Sequence, residues 1–148
     1  MLQKIFVIGL ILSWIHCAAA ERTITIPTNC DSFKSCVQKS TNTDIYRNKI
    51  RYLDGALHFW KPSDGEQAKV FAIIDRSEYI ILEAGGETGY KGDEINLKVS
   101  HKKDYKQTSY KSAISDLTEI LKTPKLIGKH RDRVDQLMQL ASSQLGKL

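Results

Sequence analysis

The 148-residue chain has little that would hold it in a membrane. Its longest apolar run, residues 5–15, has 11 residues and is interrupted by Gly9 and Ser13. A membrane-spanning helix needs about 20 apolar residues. No later stretch approaches that length, so the sequence predicts no transmembrane segment after the N-terminal region.

The short apolar run has the flanks of a secretory signal peptide instead. Lys4 precedes it, three small residues (Ala18 to Ala20) follow it, and polar Glu21 comes next. These are the three parts of a cleavable signal. We expect residues 1–20 to be removed and residues 21–148 to form one domain. A lipoprotein anchored at Cys17 is disfavoured, because bulky His16 stands where a small residue is normally found.

Cysteine is scarce in the expected mature chain, which keeps only Cys30 and Cys36. In an oxidising compartment we expect these two to form a disulfide. Six positions along a regular helix are too far apart for that bond, so Cys30 should precede a short helix that runs to about Gln38. The spacing differs from the C-x-x-C of redox-active dithiols, which favours a structural bridge.

Catalytic and metal-binding motifs are also lacking. None of His58, His101 and His130 stands in H-E-x-x-H or a Cys/His zinc pattern, and there is no G-x-S-x-G. The sequence therefore predicts no metal site, no cofactor and no identifiable catalytic residue, and does not favour an enzyme. A site dispersed in sequence stays open. The one His/acid pair that invites inspection is His130 with Asp132 or Asp135.

A glycine-rich stretch, residues 84–93, is the feature closest to a nucleotide-binding loop. Gly86, Gly89 and Gly92 are three apart, but a P-loop needs Gly-Lys-Ser/Thr at the start of a helix. Lys91 is followed by Gly92 and acidic residues instead, and the spacing matches no EF-hand. We interpret the stretch as a connection within a β-hairpin.

Alternating and continuous apolar patterns predict strands in the first two thirds of the mature chain. An edge strand is expected at 23–26, and residues 47–53 and 56–60 form a predicted β-hairpin around an Asp54-Gly55 turn. Residues 69–74 and 78–83 predict buried strands. Residues 94–101 alternate like a further strand.

Helical periodicity begins at residue 108. A first stripe contains Tyr110, Ala113, Leu117 and Ile120, and a second helix is expected over residues 124–144. The predicted fold is therefore α+β. It has a disulfide-clamped N-terminal helix, an antiparallel sheet of four to five strands, and two C-terminal helices packed on one face of the sheet.

Charge of the two signs is unevenly divided. Residues 21–97 have 10 Lys/Arg and 12 Asp/Glu, whereas residues 98–148 have 11 and 5. A basic C-terminal third is typical of a chain that contacts an anionic partner. A solvated helical surface is the competing interpretation, because acidic residues remain interspersed. The C-terminal binding candidates are Lys125, Lys129, Arg131 and Arg133.

The predicted hairpin supplies a second candidate surface. Its register places Lys49 opposite Trp60 and Arg51 opposite His58, on one basic and aromatic face. Such a face could bind an anionic or aromatic ligand through cation–π contacts, or could simply be solvated.

Taken together, the sequence predicts a small exported protein, periplasmic or secreted, that binds a partner without catalysis. The expected partner is an unidentified protein or an anionic envelope surface, contacted by the basic C-terminal third. Nucleic acid is a less favoured partner, because no RNA-binding motif is present and the chain is exported. The alternatives are a secreted hydrolase with a dispersed site and a structural subunit of an envelope assembly.

Overall fold

The computed structural model describes residues 22–91, 99–123 and 127–148. Within these residues it contains α-helices and no β-strand, so the predicted α+β class is wrong. The α-helices are α1 (Phe33–Thr41), α2 (Tyr46–Phe59), α3 (Glu66–Ala84), α4 (Lys103–Leu121) and α5 (Arg131–Gly146). Short 3-10 turns at Pro62–Asp64 and Gly128–His130 precede α3 and α5.

The helices pack mainly on their neighbours in the chain. Helix α1 lies against α2, α2 against α3, α3 against α4 and α4 against α5, and α5 also contacts α3. Helix α3 is therefore central, and its buried side chains join those of α4 and α5 in the larger core cluster. A smaller cluster joins α1, α2 and α3 around the disulfide.

The disulfide prediction is confirmed. Cys30 and Cys36 are bonded, with a Cα–Cα distance of 5.2 Å, and Cys30 precedes α1 as the spacing required. Ser32 caps the helix by accepting a hydrogen bond from the Ser35 N–H, while the Ser35 hydroxyl accepts from the Ser32 N–H. Closing so short a loop stabilises the fold by about 2 kcal/mol on the chain-entropy model.

The predicted β-hairpin over residues 47–60 is helix α2. Ile50, Leu53 and Asp54 are buried at helical spacing. Gly55 forms no turn; it lies within α2 where the N-terminal segment, residues 22–29, crosses the helix. A Cβ at Gly55 would lie 2.7 Å from the Cγ and Cδ atoms of Pro27. The glycine therefore permits close packing of the segment on the helix. From the sequence alone, a glycine needed for such packing cannot be told from a glycine in a turn.

The two predicted buried strands, 69–74 and 78–83, together form helix α3. Val70, Ile74, Ser77 and Ile81 are buried at intervals of three and four residues. Residues 75–77 suggested a turn because they are polar, but they lie in mid-helix. Residues 66–84 contain neither glycine nor proline, and the two apolar runs therefore continue as one helix.

The two C-terminal helices are confirmed, although they pack on α3 where a sheet was expected. Tyr110, Ala113, Leu117 and Ile120 are buried on α4, which begins five residues before the predicted start at 108. Helix α5 begins at Arg131, seven residues after the predicted start, and residues 128–130, which were expected to be α-helical, form a 3-10 turn. The predicted start of that helix at residue 124 lies outside the described residues.

The remaining predicted strands are not found where they can be assessed. Residues 23–26 are not in a strand, and most of 94–101 lies outside the described residues. The described part of the glycine-rich stretch, residues 84–91, packs on the beginning of α2. Gly89 has φ 75°, and a Cβ there would lie 2.1 Å from the Asp44 carbonyl oxygen. The Tyr46 N–H donates to the Thr88 carbonyl at 2.9 Å.

Candidate ligand-binding cleft

A buried chain of ion pairs joins the N-terminal segment to three helices. Asp54 on α2, whose side chain is only 3% exposed, accepts two hydrogen bonds from Arg22 at 2.9 and 2.5 Å. Arg76 on α3 donates to Asp54 at 3.1 Å and to Asp116 on α4 at 2.7 Å. The four charges balance, and their hydrogen bonds fix the segment relative to α2, α3 and α4.

The guanidinium of Arg22 is held in its charged form. Burial by itself would lower the pKa of Arg22, but the hydrogen bond and the negative charge of Asp54 raise it above its ordinary value, and Asp116 adds to that effect. Among the residues that the structure describes, the buried Nε atoms of Arg22 and Arg76 have no hydrogen-bond partner.

Beside this network lies a cleft with a volume of about 560 Å³. This volume is within the range of pockets that hold small organic molecules, about 300–1,000 Å³. The lining comes from four parts of the chain: Arg22, Thr23 and Thr25 of the N-terminal segment; Arg47, Ile50, Arg51 and Asp54 of α2; Ile80 of α3; and Asp104, Tyr105, Thr108 and Ser109 of α4.

The lining has an apolar part and a polar part. Ile50 and Ile80 are core residues whose side chains reach the cleft. Arg47 and Arg51 lie one turn apart on α2, and Thr108 contributes a hydroxyl from α4. Small-molecule sites usually combine an apolar surface with a few convergent polar groups, and this cleft is more polar than most, since only two of its twelve lining residues are aliphatic.

A second polar cluster adjoins the cleft at Glu83 on α3. The Glu83 carboxylate is nearly fully buried and accepts hydrogen bonds from Arg47, at 3.0 Å, and from the Tyr105 hydroxyl. His101 Nε2 lies 3.3 Å from the same carboxylate, and the His101 ring stacks on Tyr105 with the centroids 4.5 Å apart. The cluster therefore ties the beginning of α4 to α2 and α3.

Tyr105 acts in this cluster as a protonated donor. Burial, followed by the hydrogen bond to Glu83 and the charge of Glu83, raises the pKa of Tyr105 to about 12. A smaller cavity of about 200 Å³ lies against Glu83, His101 and Thr88. Arg47 lines both cavities.

His101 meets part of what a dispersed hydrolase site requires. It has a carboxylate partner and lines a cavity, but within the described residues no hydroxyl or thiol of a nucleophile is hydrogen-bonded to it. A triad needs that nucleophile within hydrogen-bond reach of the base. His58 contacts the Phe59 ring edge-on, and His130 contacts Phe71 in the same way.

The candidate His/acid pair of His130 with Asp132 or Asp135 is not formed. Asp135 instead accepts from the Arg131 Nε at 3.2 Å. Among the residues that the structure describes, no three His, Cys, Asp or Glu side chains form a group that could hold a metal ion.

The four residues of the predicted hairpin face do not share one surface. Lys49 donates to the Ser40 carbonyl at 3.0 Å and lies over the Tyr79 ring, whereas Arg51 lines the cleft. Trp60 follows the end of α2 and donates to the Gly65 carbonyl at 3.2 Å. Positions 49 and 51 of a helix point in different directions, and the helix therefore separates residues that the hairpin register placed together.

The C-terminal candidates divide into paired arginines and an exposed lysine. Arg131 pairs with Asp135, and Arg133 pairs across helices with Asp75 at 2.8 Å and with Glu78. Lys129 is exposed on the short turn before α5. Lys125 lies outside the described residues. Much of the arginine charge in this region is therefore neutralised by local or interhelical carboxylates.

Sequence reasoning missed the buried acids and their partners. Asp54 was assigned to a turn and Glu83 to the end of a strand, while Arg22 and Tyr105 were given no role. One signal was available: Asp54 follows Leu53 in the series 50, 53, 54, 57, which is the buried stripe of a helix. A carboxylate in that stripe has to find cationic partners from other elements.

Comparisons with protein-family models, with curated proteins and with solved structures gave no match for this chain. In the part of the chain that the structure describes, none of the helices combines the length and the apolar character needed to cross a bilayer.

Proposed function

We propose that this chain is an exported, non-catalytic binding protein whose ligand occupies the cleft between the N-terminal segment, α2 and α4. The observation that carries the proposal is a cleft of about 560 Å³ in which an apolar surface meets convergent guanidinium and hydroxyl groups. The buried ion pairs of Asp54 support it, because they hold two walls of the cleft in a fixed relation before any ligand enters.

Export through a signal peptide in residues 1–20 is part of the same proposal. The Cys30–Cys36 disulfide is compatible with an oxidising compartment, the periplasm or the extracellular space. We expect the protein recovered from a secreting host to begin at Glu21, as read by N-terminal sequencing. Recovery of an intact N-terminus in the membrane fraction would contradict this part of the proposal.

The basic C-terminal third is a second binding candidate, favoured by exposed Lys129 beside α5 and by the surplus of basic residues beyond position 97. It would contact a partner protein or an anionic envelope surface. The ion pairs of Arg131 and Arg133 reduce the charge that it offers. An envelope subunit would need an apolar patch on α5, and on that helix Leu140, 40% exposed, is the one large apolar residue in the exposed group.

The cleft is tested with a neutral fluorescent probe, N-phenyl-1-naphthylamine, and the oxidised secreted protein. We expect saturable binding of one probe per chain. Thr108→Phe, which places a ring in the cleft, should abolish it. Thr118→Phe is the matched control, since Thr118 is an exposed threonine of the same helix that does not line the cleft. Equal binding by both variants would show that the probe occupies another place.

A further inference from the structure

We infer that the ligand of this cleft is a small amphipathic organic anion. Its negatively charged head is bound by Arg51 and Arg47. Its apolar body lies on the Tyr105 ring, on the threonine methyl groups of the lining and on the exposed edges of Ile50 and Ile80. This inference rests on the proposed function, because it assigns a chemical class to the ligand of the same cleft.

The charges of the lining favour an anion. Three arginines line the cleft, namely Arg22, Arg47 and Arg51, against two aspartates, Asp54 and Asp104. Arg22 and Asp54 already satisfy each other through two hydrogen bonds. The charged groups of the lining that remain for a ligand are therefore the two guanidiniums on α2, Arg47 and Arg51, and the Asp104 carboxylate on α4.

The two arginines on α2 have donors to spare. Arg51 is exposed and forms no ion pair with any residue in the described ranges. Arg47 is 70% exposed and uses Nη2 to bond Glu83, whereas a guanidinium has five N–H donors. Arg51 is therefore not used by an ion pair among the described residues, whereas Arg47 is the counter-ion of buried Glu83 and offers only its remaining N–H donors.

Their spacing suits one shared anionic group. Residues four apart on a helix are surface neighbours, with Cβ atoms about 5–6 Å apart, and Arg47 and Arg51 have this spacing on α2. The planar guanidinium matches the two oxygens of a carboxylate and binds phosphate or sulfonate in the same way. The head group is therefore an oxyanion.

The size and the apolar surface require more than an oxyanion. A volume of about 560 Å³ is far larger than a single phosphate or sulfate needs. A water molecule occupies about 30 Å³ in the liquid, and such an ion is only a few times larger than water. An inorganic ion would also leave the apolar part of the lining facing water. That part comes mostly from the Tyr105 ring, the threonine methyl groups and the arginine methylenes, because Ile50 and Ile80 are nearly fully buried. An attached hydrocarbon or ring system removes that apolar surface from water, at about 25 cal/mol per Å².

A metal ion or an amphipathic cation fits the same residues less well. The Asp54 oxygens accept hydrogen bonds from Arg22 and Arg76, so the buried carboxylate is not available as a metal ligand. A cationic head could approach only Asp104 and would face the two arginines across the cleft. The positive charges of the two arginines would repel a cationic head.

The experiment compares three probes that share a ten-carbon chain and differ in the head group. Decanoate, decan-1-ol and decyltrimethylammonium are titrated by calorimetry into the oxidised secreted protein, with displacement of N-phenyl-1-naphthylamine as a second readout. We expect decanoate to bind at least about tenfold more tightly than decanol, because charge-assisted hydrogen bonds exceed neutral ones by about that factor. The trimethylammonium probe should bind most weakly.

Two variants at Arg51 and one control assign the effect. Arg51→Gln should lower the affinity for decanoate by most of the tenfold preference and the affinity for decanol by much less, and Arg51→Lys should keep part of the preference. Arg131→Gln, on the exposed face of α5, should change neither. Circular dichroism tests whether each variant is folded, which we expect because Arg51 is exposed and has no ion pair with another described residue.

The outcomes separate this inference from the proposed function. Equal affinity for decanoate and decanol, or a preference that survives in Arg51→Gln, overturns the anion assignment while Thr108→Phe-sensitive binding still supports the cleft. Absence of binding by all three alkyl probes and by the neutral naphthylamine overturns both. A preference for decanoate that Thr108→Phe leaves intact places the anion site elsewhere and also overturns the inference.

Discussion

Two groups of arginines and carboxylates in this protein have the same chemistry and opposite surroundings. Around Asp54, the carboxylate is 3% exposed, and Arg22 and Arg76 approach it from the N-terminal segment and from α3. Around Arg133, the guanidinium is 39% exposed and pairs with Asp75 and Glu78 of α3. Both groups connect distant parts of the chain, but only the first removes its charges from water.

The difference in exposure determines how strongly each ion pair affects the stability of the fold. An exposed pair gains little, because water and salt screen the attraction. A buried pair is not a large net gain either, yet removing one partner leaves a charge without compensation in the interior. The two groups should therefore respond very differently to equivalent substitutions.

The largest expected effect is that of Asp54→Asn. The substitution keeps the shape of the side chain but leaves Arg22 and Arg76 without their shared negative charge. We expect the free energy of unfolding to fall by about 3 kcal/mol, at the lower end for a broken buried pair because Arg76 keeps Asp116. Urea unfolding followed by circular dichroism measures it. Asp135→Asn, which removes the exposed pair with Arg131 on α5, is the control. A similar loss of stability in both variants would mean that burial does not distinguish the two pairs.

Gly55→Ala tests how the N-terminal segment is held over Asp54. Alanine would improve helix propensity by about 1 kcal/mol, but its Cβ would lie 2.7 Å from Pro27, and overpacking costs about 1–3 kcal/mol. We expect a net loss of about 1 kcal/mol and faster proteolysis before residue 30. Gly146→Ala, where a Cβ meets nothing within 4 Å, should be neutral or stabilising. A Gly55→Ala protein as stable as that control would show that the N-terminal segment does not pack closely on α2 at Gly55.

Tyr105→Phe examines the Glu83 cluster, which lies between the two extremes. At neutral pH we expect a loss of about 1 kcal/mol for the hydrogen bond to Glu83. The folded protein holds the Tyr105 proton more tightly than the unfolded chain, since its pKa is raised from 10.0 to about 12. The stabilising contribution is therefore complete below pH 10 and is lost as the pH rises towards 12.

The advantage of the wild type over Tyr105→Phe should accordingly narrow across that alkaline interval. Urea unfolding at several pH values measures it, with Tyr90→Phe reporting the general effect of losing an exposed tyrosine hydroxyl. A difference that stays constant up to pH 12 would mean that the Tyr105 hydroxyl does not interact with Glu83 in solution.

The smallest expected effect is that of Arg133→Gln. The variant loses the bonds to Asp75 and Glu78, but the groups are partly exposed, and we expect less than about 1 kcal/mol. The loss should shrink further in 1 M salt, where the Debye length is about 3 Å. A loss as large as that of Asp54→Asn would mean that exposure does not separate the two groups.

Part of the fold could be predicted from local pattern and part could not. Helices α4 and α5 have apolar stripes at helical spacing, and Ser32 with Cys30 and Cys36 marks the beginning of α1, so these elements were found. Helices α2 and α3 were assigned to strands. Their apolar residues are frequent enough to fit either period, and polar residues at 54–55 and 75–77 were interpreted as turns.

The cleft was harder to predict than the helices. Arg51 was predicted to bind a ligand, but on the basic face of a β-hairpin that does not form. Arg47 was not predicted to bind anything. Ile80 and Thr108 meet only because α3 and α4 pack side by side. No local pattern relates residues that lie on separate helices, and the cleft is made of four such parts.

By itself, the sequence determined the Cys30–Cys36 bridge, the two C-terminal helices and the surplus of basic residues after position 97, because each depends on residues close together in the chain. The helical state of residues 46–59 and 66–84, the role of Asp54 as an internal counter-ion and the set of arginines that line the cleft depend on how the helices pack. Burial and long-range pairing decide those outcomes, since the same charge or apolar run has a different free energy in water and against another helix.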